Sequence, residues 1–493
     1  MSAIAPVHAT PNSSGASTIL PGYKSAQQAL DYLQGGGKGR FNISDTAANI
    51  ASNFDALVTM GKQAASLKIS TGGTQINLNA RQYASGTALL ASISIKDSFS
   101  LKVSGVGTAN MAAILANAKV AHVDIADNSS NISQNFSTLL QRSGKIDKIT
   151  LTGASTGLTL TQTQYNGNSG TSASGTTAAL LGKVWGDLSG TSTQGQYTLA
   201  ITEVSASRAA SMVSGNAKIS SVAVKDTASI IGANLAGLAG IDSSKLASIT
   251  QADPLSAIAV SHADYVAKAA TLSKLDGTGT LSVTGVSAAG VAAVAGDGKV
   301  KNLSVSDTYD NIKNIVGTTP GLSKVIQKNV VDTSAHIAAI FADSTIHNAD
   351  LLAMTAIKLS DSGAIGIKSA DLAARAPVLS QMYGSNNVKG NYFLEVTQAS
   401  AAEARTLATN AHIQHIAVKD TVGAASSQFS ALASNAKVND ITLNGTYSVI
   451  STSLDAMANL GSKLKSIIQD SAHALTTTFN QFVAQAATLA KIT

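Results

Sequence analysis

The chain has 493 residues, too many for one ordinary hydrophobic core, so several domains or a repeat array are expected. Hydrophobic residues make up 44%, enough to fold, but charged residues reach only 13% and aromatics 4%; the small residues that fill the gap suit closely stacked regular backbone better than an enzyme core. A net charge of +6 without a dense Lys/Arg cluster argues against nucleic-acid binding, and the absence of cysteine excludes disulfides and thiolate metal sites.

Residues 1–16 are expected to be a flexible segment. The stretch from Met1 to Tyr23 lacks a basic start followed by an apolar run, so no cleavable N-terminal signal peptide is expected. No window approaches 18 uninterrupted apolar residues, and the chain is read as not transmembrane.

From there a unit recurs: an alternating run, an Asp, then a helical stretch. The runs end at Asp45 (Phe41-Asn42-Ile43-Ser44), Asp127 (Val123-Asp124-Ile125-Ala126), Asp226 (Val222-Ala223-Val224-Lys225), Asp307 (Leu303-Ser304-Val305-Ser306) and Asp420 (Ile416-Ala417-Val418-Lys419). Alternation predicts half-buried strands. After each Asp the apolar residues have helical spacing: Ile50, Phe54, Leu57 and Val58; Ile132, Phe136, Leu139 and Leu140; Ile231, Leu235, Leu238 and Ala239; Ala425, Phe429, Leu432 and Ala433. The copy after Asp307 breaks off at Gly317 and Pro320. Each Asp stands where a helix N-cap belongs, and Asp45, Asp127, Asp226, Asp307 and Asp420 are read as structural helix caps.

Before each run lies another predicted strand, about 22 residues upstream: Leu101-Lys102-Val103, Leu199-Ala200-Ile201, Leu281-Ser282-Val283 and Leu394-Glu395-Val396. After each helix comes a further strand: Leu67-Lys68-Ile69, Ile149-Thr150-Leu151, Ile249-Thr250 and Ile441-Thr442-Leu443. A third helix type follows, with Tyr265 to Leu275 and Phe482 to Ile492 nearly identical, and Tyr83 to Ile93 and Leu372 to Met382 looser copies.

These periods predict an α/β solenoid of strand–helix coils, with a parallel β-sheet on one face and short helices on the other. The alternatives are an all-β solenoid or a string of small α/β domains. About five super-repeats are expected, over roughly 17–93, 97–184, 195–275, 279–382 and 391–493. Two insertions are expected to emerge as loops: Asn166 to Gln196, with the sole tryptophan, Trp185, as a candidate binding loop, and a segment around Val330 to Ser360.

Chemistry is sparse in this reading, and the chain is not expected to be an enzyme. Gly153-Ala154-Ser155-Thr156-Gly157 fits G-x-S-x-G, but a strand, not a helix, is expected after it. His412 and His415, and the separate His336 and His347, match no metal-ligand spacing. The Asp residues form no calcium loop, so no metal or other cofactor is expected.

The form V-x-V-x-D-T-a-x-x-I…L…I-T-L-T resembles repeats of large secreted alphaproteobacterial proteins of the surface-layer and adhesin-like kind, exported by type I systems. The resemblance is one of repeat style and runs from about Ile19 to Ile492. It implies an extracellular or cell-surface location and an uncleaved C-terminal export segment, here Ala487 to Thr493. Calcium nonapeptides are missing and the pI is about 9.2, both departures from that class.

The leading expectation is an extracellular structural protein that self-assembles into a surface layer, sheath or filament. Ser25-Ala26 aligns with Ser287-Ala288, and Ile492-Thr493 stands where another coil would start, so the two ends are expected to meet head to tail. The alternatives are an adhesin or glycan-binding matrix protein that binds surface polysaccharide or lipopolysaccharide, and a β-helical carbohydrate-active enzyme.

Overall fold

The computed structural model describes residues 18–70, 74–92, 98–167, 176–186 and 191–493. The expected flexible segment 1–16 lies outside them, as does part of the Asn166 to Gln196 stretch. Strands and short helices alternate, and among the described residues the strands form five separate, mostly parallel sheets with no closed barrel. The Ala-rich stretches are helical, which removes the all-β alternative. Two compact units are present. One reaches Ala252 and includes Ser273–Asp276; the other comprises Asp253–Leu272 and Gly277–Thr493. The first unit holds three sheets and the second holds two.

The strands form where alternation predicts them. In Arg40–Asp45 the residues Phe41, Ile43 and Asp45 turn inward, and the same pattern buries Val123 and Ile125, Val222 and Val224, and Ile416 and Val418. Helices cover that inner face with Ile50, Phe54 and Leu57, or with Ile132, Phe136 and Leu139, all fully buried. The fourth predicted stripe position is not in the core: Val58 and Leu140 are half-buried and Ala239 is exposed. Each of these helical stretches is also broken once. Asn53, Asn135 and Asn234 end one short helix and start the next, each with its side-chain amide donating to a carbonyl four residues back. The break falls between the first apolar position and the second, which opens the next helix.

Sheets succeed one another by a recurring hand-over. Within the first unit, Ala64–Ile69 completes one sheet, and Gln75–Asn79 then opens another by pairing with Ser100–Val106. Gly157–Thr161 likewise pairs with Thr198–Val204. Within the second unit, Ile258–Ser261 pairs with Leu281–Val286, and Ala364–Lys368 with Phe393–Ala399. After three of these opening strands the chain returns to the sheet it had left, pairing Ile149 with Val184, Ile249 with Leu275, and Ile357 with Met382; Ile467 pairs with Ile492 in the same way.

The topology departs from the expected loops at Trp185 and over Val330 to Ser360. Trp185 is not on a loop: it sits in the strand Val184–Gly186, parallel to Thr150 and antiparallel to Gln194. Val330 to Ser360 is an extra segment but not a loop. Val325–Asp332 and Ala356–Leu359 are consecutive parallel strands joined through the helix Ser334–Ala342, an extra coil inside the sheet. No helix among the described residues is long and apolar enough to cross a membrane.

Candidate functional site

The five aspartates work differently from simple caps. In every case the N-cap is the next residue: Thr46, Asn128, Thr227, Thr308 or Thr421. One carboxylate oxygen of each Asp accepts the backbone N–H of that neighbour, at 2.7–2.9 Å. The other oxygen reaches back to the first N–H of the preceding helix. Asp45 accepts from Ala26 (2.8 Å), Asp127 from Thr108 (2.9 Å) and Asp226 from Ala206 (3.0 Å). Asp307 accepts from Ala288 and Asp420 from Ala401, both at 2.9 Å. Each carboxylate therefore ties two consecutive helix starts together, with its charge placed at the positive end of both backbone dipoles.

Two members of this series escaped the sequence reading. Asp332, which is buried, accepts from Tyr309 N (3.2 Å) and Thr333 N (2.9 Å), and Asp361 accepts from Ser334 N (3.1 Å). The run Val330-Val331-Asp332-Thr333 carried the signal, but it was assigned to an insertion. Partial burial by itself pushes the Asp127 carboxyl up. Four donors outweigh it and hold the group below the ordinary carboxylate range: the Thr108 hydroxyl, the Asn131 amide and the backbone N–H groups of Thr108 and Asn128. At Asp307 burial is likewise outweighed, by Asn131's counterpart Asn311 and by the N–H groups of Ala288 and Thr308.

Lysines do the reciprocal work at the helix C-termini. Lys463 Nζ donates to the carbonyls of Leu432, Ala433 and Asn435 (3.1, 2.7 and 2.6 Å). Lys324 donates to Ala295 and Asp297, Lys183 to Ser143 and Ile146, and Lys491 to Gly461. Arg375 fills the same role with Phe341, Asp343 and Ile346. A cation here adds a donor to carbonyls at the ends of helical turns, where intrahelical partners run out. Burial depresses the Lys463 ammonium below its usual value. Single lysines before a strand carried no pattern that sequence reading could isolate.

The remaining candidates stay apart from one another. Ser155 lies in an exposed turn that runs directly into the strand Gly157–Thr161, so it is not on a strand-to-helix elbow. His336 sits between carboxylates, 2.7 Å from Asp332 and 3.3 Å from Asp310. His412 stacks on Tyr392 with ring centroids 4.4 Å apart, while His415 meets the Asn439 amide. His347 lies at 3.8 Å from Asp350. Among the described residues no group of three His, Cys, Asp or Glu side chains could hold a metal. Trp185 has Lys148 Nζ 4.2 Å from its ring centroid, a cation–π contact on one face of the indole.

A concavity of about 810 Å3 lies between the helices Ser369–Leu379 and Ala401–Leu407, with Tyr392 and His412 in its wall. Its size has a local cause. Tyr83, Tyr165 and Tyr265 fill the equivalent place elsewhere, four residues after the last residue of the opening strand, and Leu372 fills less of it. Comparison of the chain with protein families and with curated proteins finds no match.

Proposed function

We propose that this chain is an extracellular structural subunit, a solenoid of stacked strand–helix coils that assembles with copies of itself into a surface layer, sheath or filament. The observation that carries this reading is the hand-over between sheets. The chain makes the same strand-to-strand joint four times, with the same burial pattern and the same Asp tie beside it. A molecule that adds units to itself by one repeated contact has a ready geometry for adding further molecules. Sparse charge supports the reading too, because many of the charged groups are used to join coils.

Negative-stain microscopy and light scattering across a concentration series test it. Filaments or sheets that grow with concentration are expected. Strictly monodisperse monomers at high concentration would reject self-assembly, and labelling of producing cells only after lysis would reject the extracellular location.

A further inference from the structure

Four opening strands have a partner on their outer edge, and a fifth segment built the same way has none. In the four, two apolar residues point inward and are buried: Ile76 and Leu78, Leu158 and Leu160, Ile258 and Val260, Ile365 and Ile367. Residues 474–478 repeat the alternation, with Leu475 and Thr477 turned inward but only half-buried. The Ser451 hydroxyl accepts from Thr476 N at 3.1 Å, as the Ser133 hydroxyl accepts from Thr159 N at 2.9 Å beside a paired opening strand. Thr478 and Gln481 then form a capping box on the helix Phe479–Ala484, as Asn79 with Gln82 and Thr161 with Gln164 do on theirs. No described residue pairs with 474–478 as a strand. Beside it Phe479, Phe482 and Val483 are 80%, 61% and 60% exposed.

The complementary edge is also present. Five strands lead into the helices tied by Asp45, Asp127, Asp226, Asp307 and Asp420, and four of them have an opening strand alongside. The fifth is Ile19–Lys24, an edge strand with Ile19 46% exposed. A side-chain match connects these two edges. Tyr83 and Tyr165 accept from Asn117 and Asn216 at 3.0 Å, and Tyr265 donates to Asp297 at 2.8 Å. Each partner stands ten residues before its Asp tie, at Asp127, Asp226 and Asp307. At the unpaired edges the corresponding residues are Phe482, without a hydroxyl, and Gly35, without a side chain to receive one. Both polar partners are missing together.

We infer that segment 474–478 of one molecule pairs in parallel with the strand Ile19–Lys24 of a second copy, while Phe482 packs over the turn at Gly35. Gly22 and Gly105, both at positive φ, set the register by analogy with the internal joints: Thr476 lies opposite Ile19, and Thr477 opposite Leu20. Pro21 has no N–H and ends the ladder early, which limits pairing with unrelated strand edges. This inference rests on the self-assembly proposed above and adds the partner surface and register.

The chain has no cysteine, so a disulfide can report the joint directly. T476C and I19C proteins, each checked for folding by circular dichroism, are mixed under mild oxidation. A disulfide-linked pair is expected on mixing and a ladder of multiples from the double variant, because facing residues on adjacent parallel strands lie within disulfide reach. L255C, at a residue 91% exposed but far from either edge in sequence, serves as the control partner. F482D should shift the concentration needed for assembly upward at least about tenfold, a loss of roughly 1.4 kcal/mol. Wild-type assembly with no linkage above the control overturns the joint and leaves self-assembly standing. Absence of wild-type assembly overturns both.

Discussion

Asp127 shows how much a single side chain contributes when both of its oxygens are used. It accepts from Thr108 N, Thr108 Oγ1, Asn128 N and Asn131 Nδ2, all within 2.9 Å. Asp127→Ala leaves these half-buried donors without an acceptor and should lower stability by about 2–3 kcal/mol in urea unfolding. An unchanged midpoint would remove the tie as a stabilising contact. The pH dependence has a definite sign. The carboxyls of Asp127 and Asp307 are held below their unfolded value of 3.8, so their contribution is fully present above about pH 4 and is lost as pH falls through the folded value. Acid unfolding of the wild type should therefore steepen below pH 4, and less so in Asp127→Ala. These aspartates were legible in the sequence as helix-start residues. Their second bond was not, because its donor lies 19 or 20 residues back and local spacing does not encode that reach.

At the scale of the element, four of the strands before tied helices bend at a residue three places ahead of the helix. Gly105 and Gly285 take φ of 68° and 74° there, and Glu203 and Gln398 take 55° and 56° at the same place. For a residue with a Cβ this left-handed conformation costs roughly 1 kcal/mol. Gln398→Gly should therefore raise stability by up to about 1 kcal/mol, and Gly105→Ala should lower it by a similar amount, both measurable by thermal unfolding. Lower stability in Gln398→Gly would show that this side chain does more than tolerate the bend. The helices followed their predicted apolar spacing through the second turn. The helix itself is interrupted at Asn53, Asn135 and Asn234, where a side-chain bond to the backbone ends one helix and starts another, although the next two apolar positions stay buried. Asn in such a stretch reads equally well as an exposed helical residue, so the break was not visible beforehand.

At the scale of the whole molecule, each of the two compact units has its own sheets and its own buried core. Cooperative unfolding is usual for single cores below about 150 residues and is not expected across a chain with several. Calorimetry should show more than one transition, or a van't Hoff enthalpy well below the calorimetric one. A single two-state transition would mean that the units unfold together. Hydrogen exchange should be slowest at central strands such as Val120–Asn128 and Ile413–Thr421, which are paired on both edges.

The sequence alone determined the alternation of strands and helices, the inward residues such as Phe41, Ile43 and Phe54, and the recurrence of the Asp. Each of these depends on neighbours within a few positions, where side-chain period and capping chemistry act. The tertiary structure alone decided which sheet each strand joins. Gln75–Asn79 and Ala64–Ile69 look alike as alternating runs, yet one opens a sheet and the other completes one. The same holds for Val184–Gly186, taken for part of a loop, and for Val325–Asp332, taken for an insertion. A strand is placed by backbone hydrogen bonds along its edge, and those N–H and C=O groups are common to every residue except proline. Lysines such as Lys463 were undecided for a related reason: the carbonyls that they satisfy come from a helix about 30 residues earlier, brought close only by the fold.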